Sequence, residues 1–186
     1  MLGQSELSFE FFPPKTESGM AKLVSVSQKL ASYQPIYCSV TFGAGGSTQS
    51  RTPETVSALQ SAIDVPVVPH ISCVGGTRET ILSMLEGYSK RGVSRLVVLR
   101  GDQPEGQEAP QGELAYASDL VALIRTEFAD TFDISVACYP ECHPESAHAE
   151  ADFDRFLQKV LRVLIGIQLK IILIVYQFQK TLIFAL

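Results

Sequence analysis

The sequence predicts an α/β protein, an incomplete (β/α)8 barrel of the TIM type with about five β/α units followed by an apolar tail. Three observations carry that reading. Short, near-continuous apolar runs rich in β-branched and aromatic residues alternate with longer amphipathic stretches, the pattern of a parallel sheet covered by helices. Gly or Pro closes most of the runs. The G-x-G-x-x-G turn of a dinucleotide-binding sheet is absent after the first run, where Pro13-Pro14 stands instead, which favours a barrel over an open doubly wound sheet.

The elements follow in order. Ser5–Phe12 is an aromatic-rich strand stopped by two prolines that cannot continue it. Ser18–Tyr33 carries Met20, Leu23, Val24, Val26 and Leu30 at helical spacing. Pro35–Phe42 is a strand broken by Gly43, Gly45 and Gly46, and Pro53–Ile63 a helix with Pro in its first turn. Pro66–Cys73 is a strand ended by Gly75-Gly76, and Thr77 is the expected N-cap of a helix running to Lys90. Ser94–Arg100 is a strand stopped at Gly101-Asp102. A polar loop then leads to a helix over Glu113–Phe128, a strand over Asp133–Cys138 and a helix over Glu145–Val160.

At 186 residues the chain holds one domain, whereas a complete barrel of this type takes about 250. Fifteen Lys+Arg against twenty Asp+Glu give a net charge of −5, which argues against a nucleic-acid binder. Four scattered cysteines with no C-x-x-C spacing argue against a disulfide framework. The N-terminus lacks the basic and apolar segments of a signal peptide, so a cytoplasmic location is expected. The domain reading is a catalytic unit over 1–160 and an aberrant apolar tail over 161–186. That tail has three cations and no carboxylate. Lys170 and Lys180 leave too short an apolar stretch between them for a membrane span.

Unusual polar residues gather at the ends of the predicted strands, the rim where parallel α/β proteins bind ligands. They are Glu10, Thr41, His70, Arg100-Gly101-Asp102, and Tyr139, Glu141 and His143. Glu10 is the sharpest. A carboxylate flanked by Phe9, Phe11 and Phe12 is desolvated, which raises its pKa and suits a general acid. The alternative is an alternating strand with Glu10 facing solvent. Asp102 after Gly101 reads either as a functional carboxylate or as a turn residue. His70 reads as a ligand-binding donor or as a satisfied structural side chain. A zinc set drawn from His70, Cys73, Cys138, Cys142 and His143 has usable spacing, but Cys138 is expected to pack as a small hydrophobe. The preferred reading has no metal.

The blocks Phe9-Glu10-Phe11-Phe12-Pro13-Pro14-Lys15, Ser39-Val40-Thr41-Phe42-Gly43-Ala44, Pro69-His70, Leu99-Arg100-Gly101-Asp102 and Tyr139-Pro140-Glu141-Cys142-His143-Pro144 occur in one order and spacing. Over about residues 5–160 the chain thereby resembles the methylenetetrahydrofolate reductases. The resemblance implies an FAD-bearing barrel that reduces 5,10-methylenetetrahydrofolate to 5-methyltetrahydrofolate with NADH or NADPH, in one-carbon and methionine metabolism. It also implies association into homo-oligomers. By position Glu10 matches the general acid that protonates the folate amine, and Asp102 the carboxylate beside flavin and pterin. Thr41, Phe42 and Ala44 match the loop touching flavin and nicotinamide. His70, Arg100, Gly101, Tyr116, Ala117, Tyr139 and His143 match the flavin-binding set, and Asp152 and Lys159 the positions holding the FAD tail.

The chain also departs from that pattern. Ser146, Arg155 and Gln158 stand where family members usually have Ala, Asn and Arg. After Lys159-Val160 the expected turn and Thr-Gln strand are missing, so none of Gln168, Gln177 and Gln179 inherits a role. The expectation is a truncated or frame-shifted member with weak turnover, or alternatively a non-catalytic fragment that at most binds flavin or a partner chain. Resequencing the gene tests the frame shift.

Overall fold

A computed structural model describes residues 7–42, 51–73, 76–101, 114–136 and 148–164 of the chain. Among these described residues ten elements alternate, strand then helix. They are β1 (Ser8–Phe11), α1 (Glu17–Ala31), β2 (Tyr37–Val40), α2 (Arg51–Ala62), β3 (Val67–Ser72), α3 (Arg78–Lys90), β4 (Arg95–Leu99), α4 (Ala117–Phe128), β5 (Asp133–Val136) and α5 (Ala149–Leu164). The largest boundary shifts from the sequence reading fall at the helices after long loops. Leu114–Tyr116 precede α4 rather than opening it, and α5 crosses position 160 unbroken to end at Leu164. The change of composition noted at 160 therefore falls inside a helix.

The sheet order decides between the two architectures left open by an α/β pattern. The five strands lie in the order β1-β2-β3-β4-β5, and every neighbouring pair is parallel. A doubly wound sheet reverses its strand order at a switch point and puts helices on both faces. Here each strand is added on the same side of the last, as in a barrel. Helix packing agrees. Val56 and Leu59 of α2, Ile81, Leu85 and Tyr88 of α3, and Leu120, Val121 and Ile124 of α4 join Phe11, Cys38, Val40, Ile71, Leu96, Val98 and Val136 in one core. These helices thus cover one face of the sheet.

The register assigns the opposite face, which is helix-free among the described residues. Glu10 pairs with Ser39, Ser39 with Val68, His70 with Val97 and Val97 with Ser135. Because alternate residues share a face, Glu10, Ser39, Val68, His70, Val97 and Ser135 line it together. Tyr37, Val68 and Val97 form a second, smaller apolar cluster there with Leu99 packed against it.

Local sequence explains the helix starts. Thr16 caps α1 by accepting the Gly19 N–H at 3.1 Å. Thr77 caps α3 as expected, its Oγ1 accepting the Thr80 N–H at 3.3 Å. Thr77→Ala is expected to lower folding stability by about 1 kcal/mol while Thr77→Ser stays near neutral, as read from urea midpoints. The Asp119 carboxylate accepts the Tyr116 N–H at 2.9 Å and sets the entry to α4.

Candidate active site

Glu10 and His70 meet on the helix-free face. Glu10 sits third in β1 and His70 fourth in β3, and β2 lies between them, its small Ser39 level with Glu10 and with Val68, two residues before His70. His70 Nε2 stands 3.4 Å from Glu10 Oε2, with the His70 side chain 3% exposed and that of Glu10 35%. Burial pushes the imidazole pKa down to about 4, so it is neutral at pH 7. Burial also raises the Glu10 carboxyl above its ordinary value. The contact is thus a neutral histidine beside a carboxyl biased toward holding its proton, not a salt bridge.

The source of that bias differs from the sequence expectation. Phe11 packs into the helix-side core and Phe9 lies against it, while Phe12 is 71% exposed. The two phenylalanines adjoining Glu10 in the chain lie on the opposite face of the strand. Desolvation of Glu10 arises from its place on the sheet beside a buried histidine.

The remaining rim is held by hydrogen bonds between neighbouring strand ends. The Thr41 N–H donates to Phe11 O at 2.9 Å, and the Thr41 carbonyl accepts Thr52 Oγ1 at 3.1 Å. Phe42 follows directly, partly buried. Ser72 Oγ donates to the Arg100 carbonyl at 2.9 Å, and Cys73 Sγ reaches the same oxygen at 3.2 Å. Gly101 then turns with φ +87°, a conformation that favours glycine. The sequence reading missed Ser39, Ser72 and Ser135. Polar residues at alternate positions of otherwise apolar strands were the available signal.

His70 and Cys73 face opposite sides of β3, because Cys73 belongs to the helix-side core. The zinc alternative thereby loses that pair, and its other members, Cys138, Cys142 and His143, lie outside the described residues. Cys38 is buried with its thiol pushed up to about 11, so it stays a protonated core group.

Two more predicted site residues stand at the start of α4. Tyr116 is 45% exposed and Ala117 is buried. Across from them the Arg155 guanidinium of α5 lies 5.2 Å from the centre of the Tyr116 ring. Asp152 is in the first turn of α5, its N–H donating to His148 O at 3.2 Å. Lys159 lies further along that helix, its side chain outside the described residues, as are Ala44, Asp102, Tyr139 and His143. The placed residues sit where strands end and helices begin, on one end of the sheet. Among the described residues no helix is long and apolar enough to cross a membrane.

A sequence model of the family described as methylenetetrahydrofolate reductase matches residues 2–184. The chain belongs to that family. It is 39% identical over 158 residues to 5,10-methylenetetrahydrofolate reductase of Salmonella typhimurium, covering 85% of this chain and 52% of that protein. The same figures hold for the Escherichia coli protein of that name. Methylenetetrahydrofolate reductase (NADH) 1 of Arabidopsis thaliana is 43% identical over 151 residues, covering 80% of this chain and 26% of that protein. The chain thus spans about half the length of these bacterial methylenetetrahydrofolate reductases and about a quarter of the plant one. The family match runs through the stretch from 161 that composition sets apart, although the pairwise alignments are shorter.

Proposed function

We propose that this chain binds FAD and acts in the NAD(P)H-dependent reduction of 5,10-methylenetetrahydrofolate to 5-methyltetrahydrofolate. The single observation that carries the reading is the Glu10–His70 pair at 3.4 Å. A carboxyl whose pKa is raised by burial, beside a neutral buried imidazole, supports acid catalysis at an amine. Family membership supplies the substrate class.

The residues present suit a flavin nucleotide. Arg100 offers a fork that binds phosphate oxygens well, and the Gly101 turn lets backbone approach closely. The Tyr116 ring with Arg155 beside it offers a flat, cationic edge. Thr41, Phe42, Ala44, His70, Arg100, Gly101, Tyr116, Ala117, Tyr139, His143, Asp152 and Lys159 would hold it. When bound, FAD supplies the hydride relay between nicotinamide and folate.

The protein's own part is proton management and charge. Glu10 delivers its proton to the folate amine nitrogen whose loss of the methylene bridge opens the five-membered ring. The carboxylate of Asp102 would stabilise the cation that results. Ser72 and Cys73 fix the Arg100 carbonyl, and with it the start of the turn that leads to Asp102.

A second reading, a non-catalytic chain that at most binds flavin or a partner, is favoured by one fact. The alignment covers 52% of the bacterial relative, so part of that protein's length has no counterpart in the match. Reconstitution with FAD separates the two readings. A stoichiometric flavin spectrum that NADH bleaches and methylenetetrahydrofolate restores is expected. Flavin bound but never reoxidised by the folate supports the second reading, and absence of flavin binding overturns both.

A further inference from the structure

We propose that His70 is a positioning residue for Glu10: its Nε2–H donates to Oε2, keeps that oxygen an acceptor, and so leaves the transferable proton on Oε1. The proposal deepens the reading of Glu10 as proton donor and rests on it.

The argument starts from an accounting of donors. His70 Nε2 is fully buried and has no hydrogen-bond partner among the described residues. An unmet buried nitrogen keeps its full desolvation penalty, so folded proteins rarely leave one so. Glu10 Oε2 stands 3.4 Å away, a few tenths of an ångström beyond a formed N–H···O bond. Catalytic hydrogen bonds are commonly long before substrate arrives and tighten in the complex. The imidazole is held by a central strand, whereas Glu10 is partly exposed on its own strand, so Glu10 is the partner free to adjust.

The choice of tautomer follows from the work required. A carboxylic acid has one oxygen that carries the proton and one that does not. A donor fixed on Oε2 is compatible with both states of Glu10, because Oε2 accepts as the acid's carbonyl oxygen and as a carboxylate oxygen. One unchanged bond then spans the whole proton transfer. A bare Nε2 would instead capture the proton of Glu10 and turn it from the substrate. The buried, neutral state of the imidazole supplies the needed single N–H without adding a charge that would hold Glu10 ionised.

Other groups on that face do not compete. Among the described residues they are Tyr37 on β2, Arg95 on β4 and Asp133 on β5. Arg95 stands 3.7 Å from Asp133 and 5.7 Å over the Tyr37 ring, so these three are engaged with each other at the strand starts.

The test uses the full chain without flavin or folate. In the wild type, nitrogen-15 NMR of His70 is expected to show the Nε2-protonated tautomer across pH 5–9, and a bare Nε2 would overturn the proposal. Carbon-13 NMR of labelled glutamate, with Glu10→Gln identifying the signal, gives the Glu10 titration. His70→Leu should move it up by about one pH unit, since the lost donor favoured the carboxylate. His70→Gln, which keeps an N–H at a similar reach, should bring it back. A titration unmoved or lowered in His70→Leu, or unrescued by glutamine, refutes the positioning role. Should the leucine variant not fold, the wild-type tautomer still decides. Neither readout involves cofactor or turnover, so failure here leaves the proposed reaction standing, and failure of flavin binding leaves this result intact.

Discussion

Acidification from pH 7 to about 4 is expected to cost the wild-type chain about 3 kcal/mol of folding stability that His70→Leu does not lose. The buried imidazole has its pKa lowered from 6.5 to about 4. Between those values the unfolded chain binds a proton that the folded chain refuses, so stability falls as pH falls through that window. Each unit of difference corresponds to about 1.4 kcal/mol, which sets the magnitude. Glu10 acts in the opposite sense. Its pKa is raised by burial, so just above its ordinary value the folded chain takes up a proton before the unfolded one, and acid stabilises it there. Glu10 therefore offsets part of the loss, and the net acid limb carries the sign of His70. Urea midpoints at pH 7 and pH 4.5, compared between wild type and variant, isolate the histidine from the surface carboxylates. Parallel curves for the two proteins would show that His70 titrates normally and is not desolvated.

The reason one histidine matters so much is also the reason it was hard to read. Strand and helix alternation was legible because it is local. Apolar runs such as Leu96–Val98 end at Gly101, and Thr77 precedes a helical pattern, so those elements fall within a residue or two of their expected places. The sequential strand order was legible only by exclusion, from Pro13-Pro14 standing where a dinucleotide turn would be. The direction of the Glu10 shift was legible, but its source was not. In the sequence its neighbours are phenylalanines, and alternation alone cannot say which face of a four-residue strand becomes interior. The sheet settles it through register: Glu10 pairs Ser39, and Ser39 pairs Val68, two residues before His70. A small side chain on the middle strand leaves the outer two in reach of each other. The same holds for Arg155 over Tyr116, a contact between a residue of α5 and the residue just before α4. Local pattern specified the elements, and chemistry arose where distant elements were brought side by side.

Glu10→Gln is expected to slow the folate half of the reaction by about 10²–10⁴-fold while leaving bleaching of the flavin by NADH unchanged. The split follows from what the substitution removes. Glutamine has the size of glutamate and keeps an oxygen to accept from His70, so packing on the helix-free face is preserved. What it lacks is a proton that can leave at neutral pH. Opening the folate ring needs that proton on nitrogen, whereas electron delivery from nicotinamide does not. The described flavin-holding residues named above belong to segments other than β1, so bound flavin should stay near one per chain. Stopped-flow measurement of each half separately reads the ratio within one preparation, and a low absolute rate for a chain spanning half its bacterial relatives does not blur it. Equal loss in both halves would mean that Glu10 shapes the flavin site, and no loss in either would leave it a partly exposed strand residue with an incidental histidine neighbour. Only the selective loss makes the carboxyl on β1 the acid, and the magnitude matters: a tenfold change is the scale of one lost hydrogen bond, whereas a thousandfold change requires a proton that is no longer delivered.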